Sequence, residues 1–340
     1  MEIIAKVDGE ITPEDIEFLR QNYTSAGGLI PNAYSGGAFF TPTHVARFIV
    51  EALRGLAGGF APGTRFLEPS CGSGVFLEHL PEDAEITALE MDRTSARVSS
   101  LLYPHADVIE CDALTHTRRD YYDFVIGNPP YGLTVEVDES SDFTTLSKSK
   151  GKLRGKSENA FLEFAVRCAK PGGYVAFVLP IGVGFSQNSK KIRELLHDTC
   201  WHVSTIMLPG ETFQHVGTTI PTQILIVRKA PPSTRLIPSA EKRWGSNFKR
   251  GGYEDITQFD AKFLEGQTPS YFAKITNIGW DAKGNRIEKW GDGFTQLDEL
   301  LDDFTNTLMR ENLYPHIPSW HGLKDVTSFM FSHGNDSCDG

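Results

Sequence analysis

Between Arg65 and Ile126 the chain alternates short apolar runs with helix-patterned stretches, and this alternation constrains the fold more than any other feature. Arg65–Leu67, Glu85–Leu89, Asp107–Cys111 and Tyr122–Ile126 read as strands. Gly74–Leu80 and Arg93–Leu102 read as helices between them. Strands separated by helical crossovers form a parallel, doubly wound sheet. Ligands of such open sheets collect at the carboxyl ends of the strands.

Three stretches on that edge carry chemistry. The first strand runs into Glu68-Pro69-Ser70-Cys71-Gly72-Ser73-Gly74-Val75-Phe76. Close glycines allow a tight turn and a near approach of backbone to ligand, and a helix start there would offer free N–H groups to an anion. A lone Gly-x-Gly is weak evidence, because any tight turn needs glycine. The second strand ends in Glu90-Met91-Asp92, about 20 residues later, a spacing suited to a carboxylate that accepts from ribose hydroxyls. The same acids would also serve as a helix cap. Asp112 falls on this edge and suits an adenine amino group.

The fourth strand stops at Asn128-Pro129-Pro130-Tyr131. Two prolines cannot donate to a ladder, and Pro129 biases Asn128 toward extended backbone. The expected product is a stiff turn presenting an amide, a proline carbonyl and an aromatic ring. An ordinary strand-ending turn has the same composition.

The remainder reads as follows. Thr12 caps a helix over Pro13–Arg20, and Gly27–Gly37 is loop. Thr41 is placed as N-cap with Pro42 at the first helical position. Val45, Phe48, Ile49, Ala52 and Leu53 stripe the helix that follows. Residues 132–157 lack periodicity. Ser157 would cap a helix over Glu158–Lys170, then Tyr174–Leu179 is a strand and Lys190–Leu196 a helix. Ser204–Leu208 and Thr222–Val227 complete a mostly parallel seven-stranded sheet as an antiparallel hairpin. Past residue 231 the pattern is irregular except for a helix at Leu297–Leu308. The expected division is a lead-in over 1–35, an α/β domain over 36–232 and a small C-terminal region over 233–340.

Composition excludes several classes. Five scattered cysteines show no zinc-like spacing, so neither a metal site nor a disulfide framework is expected. His316 and His321 are five apart, which is not helical ligand spacing. No apolar run reaches membrane-span length, and Met1–Lys6 lacks a secretory pattern, so a cytoplasmic location is expected. A net charge of −11 argues against sequence-blind coating of nucleic acid.

These motifs resemble S-adenosylmethionine-dependent DNA adenine-N6 methyltransferases of the γ motif order, over about residues 36–230. Phe40-Thr41-Pro42 is similar to their N-terminal cofactor motif, and Glu68 to Gly74 to the glycine-rich one. Glu90 and Asp112 match the acidic positions, and Asn128 to Tyr131 the catalytic motif. Pro209 to Lys229 looks like the motif that carries a base-stacking aromatic. The resemblance implies a Rossmann-like methyltransferase fold. It also implies S-adenosylmethionine at Phe40, Thr41, Pro42, Glu68 to Gly74, Phe76, Glu90, Met91, Asp112, Ala113 and Asn128. Catalysis would fall to Asn128 and Pro129 with Pro130 and Tyr131, and stacking to Tyr131 and Phe213. Tyr271 to Asn285 looks like the late part of modification subunits of type I restriction systems, which implies DNA and a specificity subunit as partners. Residues 1–35 weakly resemble the lead-in of large phage- and plasmid-borne methylases. The γ order places a target-recognition domain after the catalytic one, whereas only about 110 residues follow Lys229.

The chemistry suits these residues. Adenine N6 is a poor nucleophile, and acceptors for both its N–H groups favour the transition state as positive charge develops. The amine is unreachable inside a duplex, so the base must flip out. Lys148, Lys150, Lys152, Arg154 and Lys156, and the cluster Lys242, Arg243, Lys249 and Arg250 near Trp244 and Phe248, are candidate DNA contacts. A solvated loop would have the same composition. The competing readings are a protein glutamine methyltransferase acting on release factors, which shares Asn-Pro-Pro-Tyr, and a non-catalytic cofactor- or DNA-binding subunit. Cytosine-C5 chemistry is excluded, since no cysteine follows a proline.

Overall fold

A computed structural model describes residues 2–23, 41–216, 220–231, 270–279 and 295–310. Its helices are α1 (Glu2–Ala5), α2 (Pro13–Asn22), α3 (Thr43–Ala57), α4 (Arg93–Leu102), α5 (Ser157–Cys168), α6 (Lys190–Thr199) and α7 (Gln296–Arg310). Its strands are β1 (Arg65–Glu68), β2 (Glu85–Glu90), β3 (Asp107–Glu110), β4 (Tyr122–Gly127), β5 (Thr134–Asp138), β6 (Ser147–Ser149), β7 (Lys152–Lys156), β8 (Ala169–Pro180), β9 (Cys200–Met207), β10 (Thr222–Lys229) and β11 (Tyr271–Lys274).

The main sheet has the order β11-β9-β10-β8-β4-β1-β2-β3, and every strand in it except β10 points the same way. The expected α/β fold and antiparallel hairpin are present. The seven expected strands become eight among the described residues, because β11 pairs parallel with β9.

Alternation of side chains assigns the two faces. Phe66, Phe124, Ile126 and Tyr174 face a core shared with α2, α3, α4 and α7. Leu67, Val125, Val175 and Phe177 face a second core shared with α5 and α6. Phe66 and Phe124 stack at 5.1 Å, and Phe124 and Tyr174 at 5.8 Å. Ile275, Ile278, Leu297 and Phe304 share the first core: Phe304 of α7 lies edge-on to Phe48 at 6.2 Å, and Arg47 pairs with Asp298 at 2.6 Å.

Local expectations hold in part. Thr12 caps α2 in a reciprocal box with Asp15, and α3 buries its predicted stripe before Gly58 ends it in a left-handed conformation. The cap of α3 is Pro42 rather than Thr41, and it makes no side-chain bond. Ser157 is the first residue of α5 rather than its cap. The expected helix over Gly74–Leu80 is a run of turns closing in one 3₁₀ turn, Leu77–His79. Gly72 and Gly74 have φ of 54° and 89°, outside the helical range, and the buried Phe76 and Leu77 then anchor to the core.

Residues 132–157, expected as an aperiodic loop, form a second antiparallel sheet ordered β5-β7-β6. Val135, Val137 and Leu153 pack onto the second core, while Glu136 lies opposite Arg154 and Asp138 opposite Lys152. Glu163 of α5 is fully buried and accepts from the N–H and hydroxyl groups of Thr144 and Thr145, at 2.5–2.9 Å, and from Arg167 at 2.7 Å. Burial pushes its carboxyl up, but the Thr145 and Thr144 bonds outweigh it and the net shift is downward. Among the described residues no helix is long and apolar enough to cross a membrane.

Candidate active site

Since β1, β2, β4 and β8 run parallel, Glu68, Glu90, Asn128 and Pro180 all lie at one edge of the sheet. Gly127 ends β4 with φ of 152°, a backbone conformation that favours glycine. The Ser70 hydroxyl donates to the Asn128 carbonyl at 3.3 Å. The glycine-rich turn and the Asn-Pro-Pro-Tyr turn are therefore in direct contact.

Asn128 and Pro130 are half-buried, and Pro129 is buried. Tyr131 is 5% exposed, and burial holds its phenol well above the ordinary range, so it stays a neutral donor. Its hydroxyl reaches the Val178 carbonyl at 3.1 Å and also meets Asn128 Oδ1. A phenol has one proton, so only one of these is a donated bond at a time. Beyond the turn, the Gly132 N–H donates to Glu158 Oε2 at 3.0 Å, and Lys156 Nζ donates to the Gly132 carbonyl at 3.1 Å. Glu158 was not among the sequence candidates. An acid in the first turn of a helix is ordinarily read as a dipole partner, and only the fold shows that it braces the Asn-Pro-Pro-Tyr turn.

The glycine turn is pinned by its neighbours. Cys71 N–H donates to the Leu89 carbonyl at 3.1 Å, and the Ser99 hydroxyl to the Gly72 carbonyl at 2.8 Å. Glu90 accepts from the N–H groups of Gly72 and Asp92, each at 2.8 Å. Burial raises the Glu90 carboxyl against those bonds. Without a helix here, the helix-start anion cradle expected from sequence is absent. The charge present is acidic instead: Glu68 is 1% exposed, and its Oε2 is buried without a hydrogen-bond partner. Burial, together with the Glu90 charge, pushes the Glu68 carboxyl well above the usual carboxylate range.

The other candidates divide by exposure. Met91 is 74% exposed, and Asp112 is exposed while its Oδ1 caps the next 3₁₀ turn through Leu114 N–H at 2.9 Å. Thr41, Pro42, Pro69, Cys71, Ser73, Phe76 and Ala113 are buried. Phe40, Trp244, Phe248, Lys242, Arg243, Lys249 and Arg250 lie outside the described residues, as do Trp280 to Asn285 of the subunit-like segment.

Both rings expected to stack on a base are buried in this structure. Phe213 is 1% exposed, in the first core with Val203, Ile206 and Leu208, and Tyr131 is also buried. Neither ring presents a face to solvent in this conformation. Phe213 packs in the core beside β9 and β10, and the Tyr131 hydroxyl contacts the Val178 carbonyl. The basic stretch is partly neutralised as well: Lys148 pairs with Glu139 at 2.6 Å, and Arg154 with Glu136 at 2.7 Å.

Comparison with known proteins agrees with this arrangement. The chain is 29% identical over 232 residues to the defense against restriction protein B of Escherichia phage P1, covering 66% of this chain and 10% of that protein. It is 31% identical over 171 residues to modification methylase CviBIII of Paramecium bursaria Chlorella virus NC1A, covering 47% and 42%. The chain thus spans less than half the length of these curated relatives. A solved structure from work on assembly and conformational transition of the type I R-M system superposes with a TM-score of 0.56. It covers 91% of this chain and 61% of that one at 16% identity, a likeness of fold. The N-6 DNA Methylase family model matches residues 16–251, and with the Asn-Pro-Pro-Tyr turn set against the glycine-rich turn at one sheet edge, the chain belongs to the N-6 DNA methylase family.

Proposed function

We propose that the chain methylates the N6 amine of a flipped-out adenine in DNA, using S-adenosylmethionine, in a restriction-modification or host-defence setting. The observation that carries this reading is the direct contact of the two turns, through the Ser70 hydroxyl and the Asn128 carbonyl. Such contact puts acceptors for an amine beside the place a nucleoside cofactor would occupy.

The residues fit that cofactor. Glu68 holds a buried oxygen with no partner, which suits a cationic amino group. Glu90 is fixed by two N–H groups and keeps lone pairs for ribose hydroxyls. Met91 and Asp112 are exposed at the ends of neighbouring strands, where an adenine would lie. When bound, S-adenosylmethionine supplies an electrophilic methyl group.

The chain supplies acceptors and rigidity. Asn128 Oδ1 and the Pro129 carbonyl accept from the two N–H bonds of the amine, and stabilise charge that grows only in the transition state. The prolines and the Tyr131, Ser70 and Glu158 contacts fix these acceptors beforehand, so little reorganisation accompanies reaction. Site-specific recognition would draw on the sheet β5-β7-β6, on residues beyond 232 and on a separate specificity subunit.

The test is transfer of labelled methyl groups to unmethylated DNA, with release-factor protein as the competing acceptor. The proposal expects label in DNA, lost with Asn128→Ala. Label in protein alone supports glutamine methylation instead, and cofactor affinity without transfer supports a binding subunit.

A further inference from the structure

Both rings expected to receive a base are buried, yet another aromatic at the same edge is exposed. Phe185 follows the end of β8 by five residues and is 68% exposed. β8 runs beside β4 with Phe177 opposite Gly127, so the turn leaving β8 rises next to the Asn128–Tyr131 turn. The turn also sits against β10, since a Cβ on Gly184 would stand 3.9 Å from the Gln223 amide.

The ring is held out by a braced backbone rather than by a slack loop. Ile181 N–H donates to the Pro221 carbonyl at 3.1 Å. The N–H groups of Phe185 and Ser186 donate to the Gly182 carbonyl at 3.2 and 2.8 Å. Arg193 donates to the carbonyls of Val183 and Ser186 at 3.0 and 2.8 Å, and Asn159 to that of Asn188 at 3.0 Å. Leaving a phenyl ring in water forfeits the burial that stabilises most such rings. Gln187 and Asn188 are exposed on the same turn, and Lys190 and Lys191 are exposed at the start of α6, where Lys191 also donates to the Leu146 carbonyl at 3.4 Å. An exposed aromatic ring followed in the chain by amide and ammonium side chains suits an unpaired nucleotide, whose base stacks while its phosphate meets a cation.

We propose that Phe185 stacks on a nucleobase of the DNA substrate beside the Asn128 turn. This rests on the reading of the chain as a DNA adenine methyltransferase. Phe185→Ala removes surface area without opening a core, so the variant keeps its thermal midpoint.

The experiment is steady-state methyl transfer to unmethylated plasmid DNA by wild type, Phe185→Ala, Phe185→Leu and Phe185→Trp, with S-adenosylmethionine affinity measured in parallel. Phe185→Ala is expected to raise KM for DNA about fivefold to a hundredfold, the range of one base–aromatic stack. Phe185→Trp should stay near wild type, Phe185→Leu should resemble Ala, and cofactor affinity should not change. A wild-type KM in Phe185→Ala, or rescue by Leu as complete as by Trp, overturns the stacking role while the methyltransferase reading stands. No transfer to DNA by the wild type overturns that reading and the stacking role together.

Discussion

The Tyr131 hydroxyl lies 3.1 Å from the Val178 carbonyl, tying the turn after β4 to the backbone of β8. The same hydroxyl meets Asn128 Oδ1. The phenol thus acts as a strut between the Asn128 amide and β8.

Tyr131→Phe keeps the packing and removes the strut. It should lower kcat about tenfold, roughly the value of one positioning hydrogen bond, with cofactor affinity unchanged. Tyr131→Ala should cost about 3–5 kcal/mol of stability, because it empties a buried site. Thermal melts beside single-turnover kinetics separate the two. An unchanged kcat in Tyr131→Phe contradicts the strut.

Gly74 admits no side chain. A Cβ there would stand 2.5 Å from the Tyr103 ring, at a φ of 89°. Gly74→Ala should cost on the order of 1–3 kcal/mol and weaken cofactor binding together with stability. Isothermal titration and melts check it, and a variant with wild-type affinity would show that this turn does not shape the cofactor site.

Glu68 buries a carboxyl at a cost to stability. Its carboxyl is raised by burial and by Glu90, so the folded state favours the protonated form. Stability from such a group is present below the ordinary carboxylate pKa and is lost as pH rises through the folded value. Glu68→Gln should therefore raise the melting temperature of the cofactor-free protein at pH 8, by roughly 2–4 °C if about 1 kcal/mol is recovered. At pH 4.5 the gain should shrink. Cofactor affinity should fall in the same variant. Melting at both pH values, with titration of S-adenosylmethionine, reads all three outcomes. A melting temperature that drops at pH 8 contradicts the uncompensated burial.

Glu163 behaves oppositely. Hydrogen bonds hold its carboxyl below the ordinary range, so its contribution is present above that range and is lost as pH falls through the folded value. Glu163→Ala releases Thr144, Thr145 and Arg167 at once. It should cost about 3–5 kcal/mol, as for breaking a buried ion pair from one side. Limited proteolysis should then cut within residues 139–151 first. Cleavage elsewhere would show that the clamp does not hold the small sheet.

How much was legible follows from which forces act locally. The strands β1 to β4 and the Asn-Pro-Pro-Tyr turn were readable because apolar runs and prolines act within a few residues. The sheet β5-β7-β6 was not, although Thr134–Asp138 alternates faithfully. Its charged outer face and the three-residue strand β6 look like loop, and its anchor, Glu163, lies on a helix that follows it. Strand β11 was missed because its pairing with β9 joins residues remote in sequence. The burial of Phe213 and the exposure of Phe185 were equally hidden, since exposure is a property of the packed edge. Phe185 carried one faint signal, an aromatic among Gly, Ser, Gln and Asn after a strand.

The most direct test is nucleoside mass spectrometry of unmethylated DNA incubated with S-adenosylmethionine and either wild type or Asn128→Ala. The account predicts N6-methyladenine with the wild type and a loss of at least about a hundredfold in the variant, whose cofactor affinity stays intact. Methylcytosine as the product, or equal N6-methyladenine from both proteins, would contradict it.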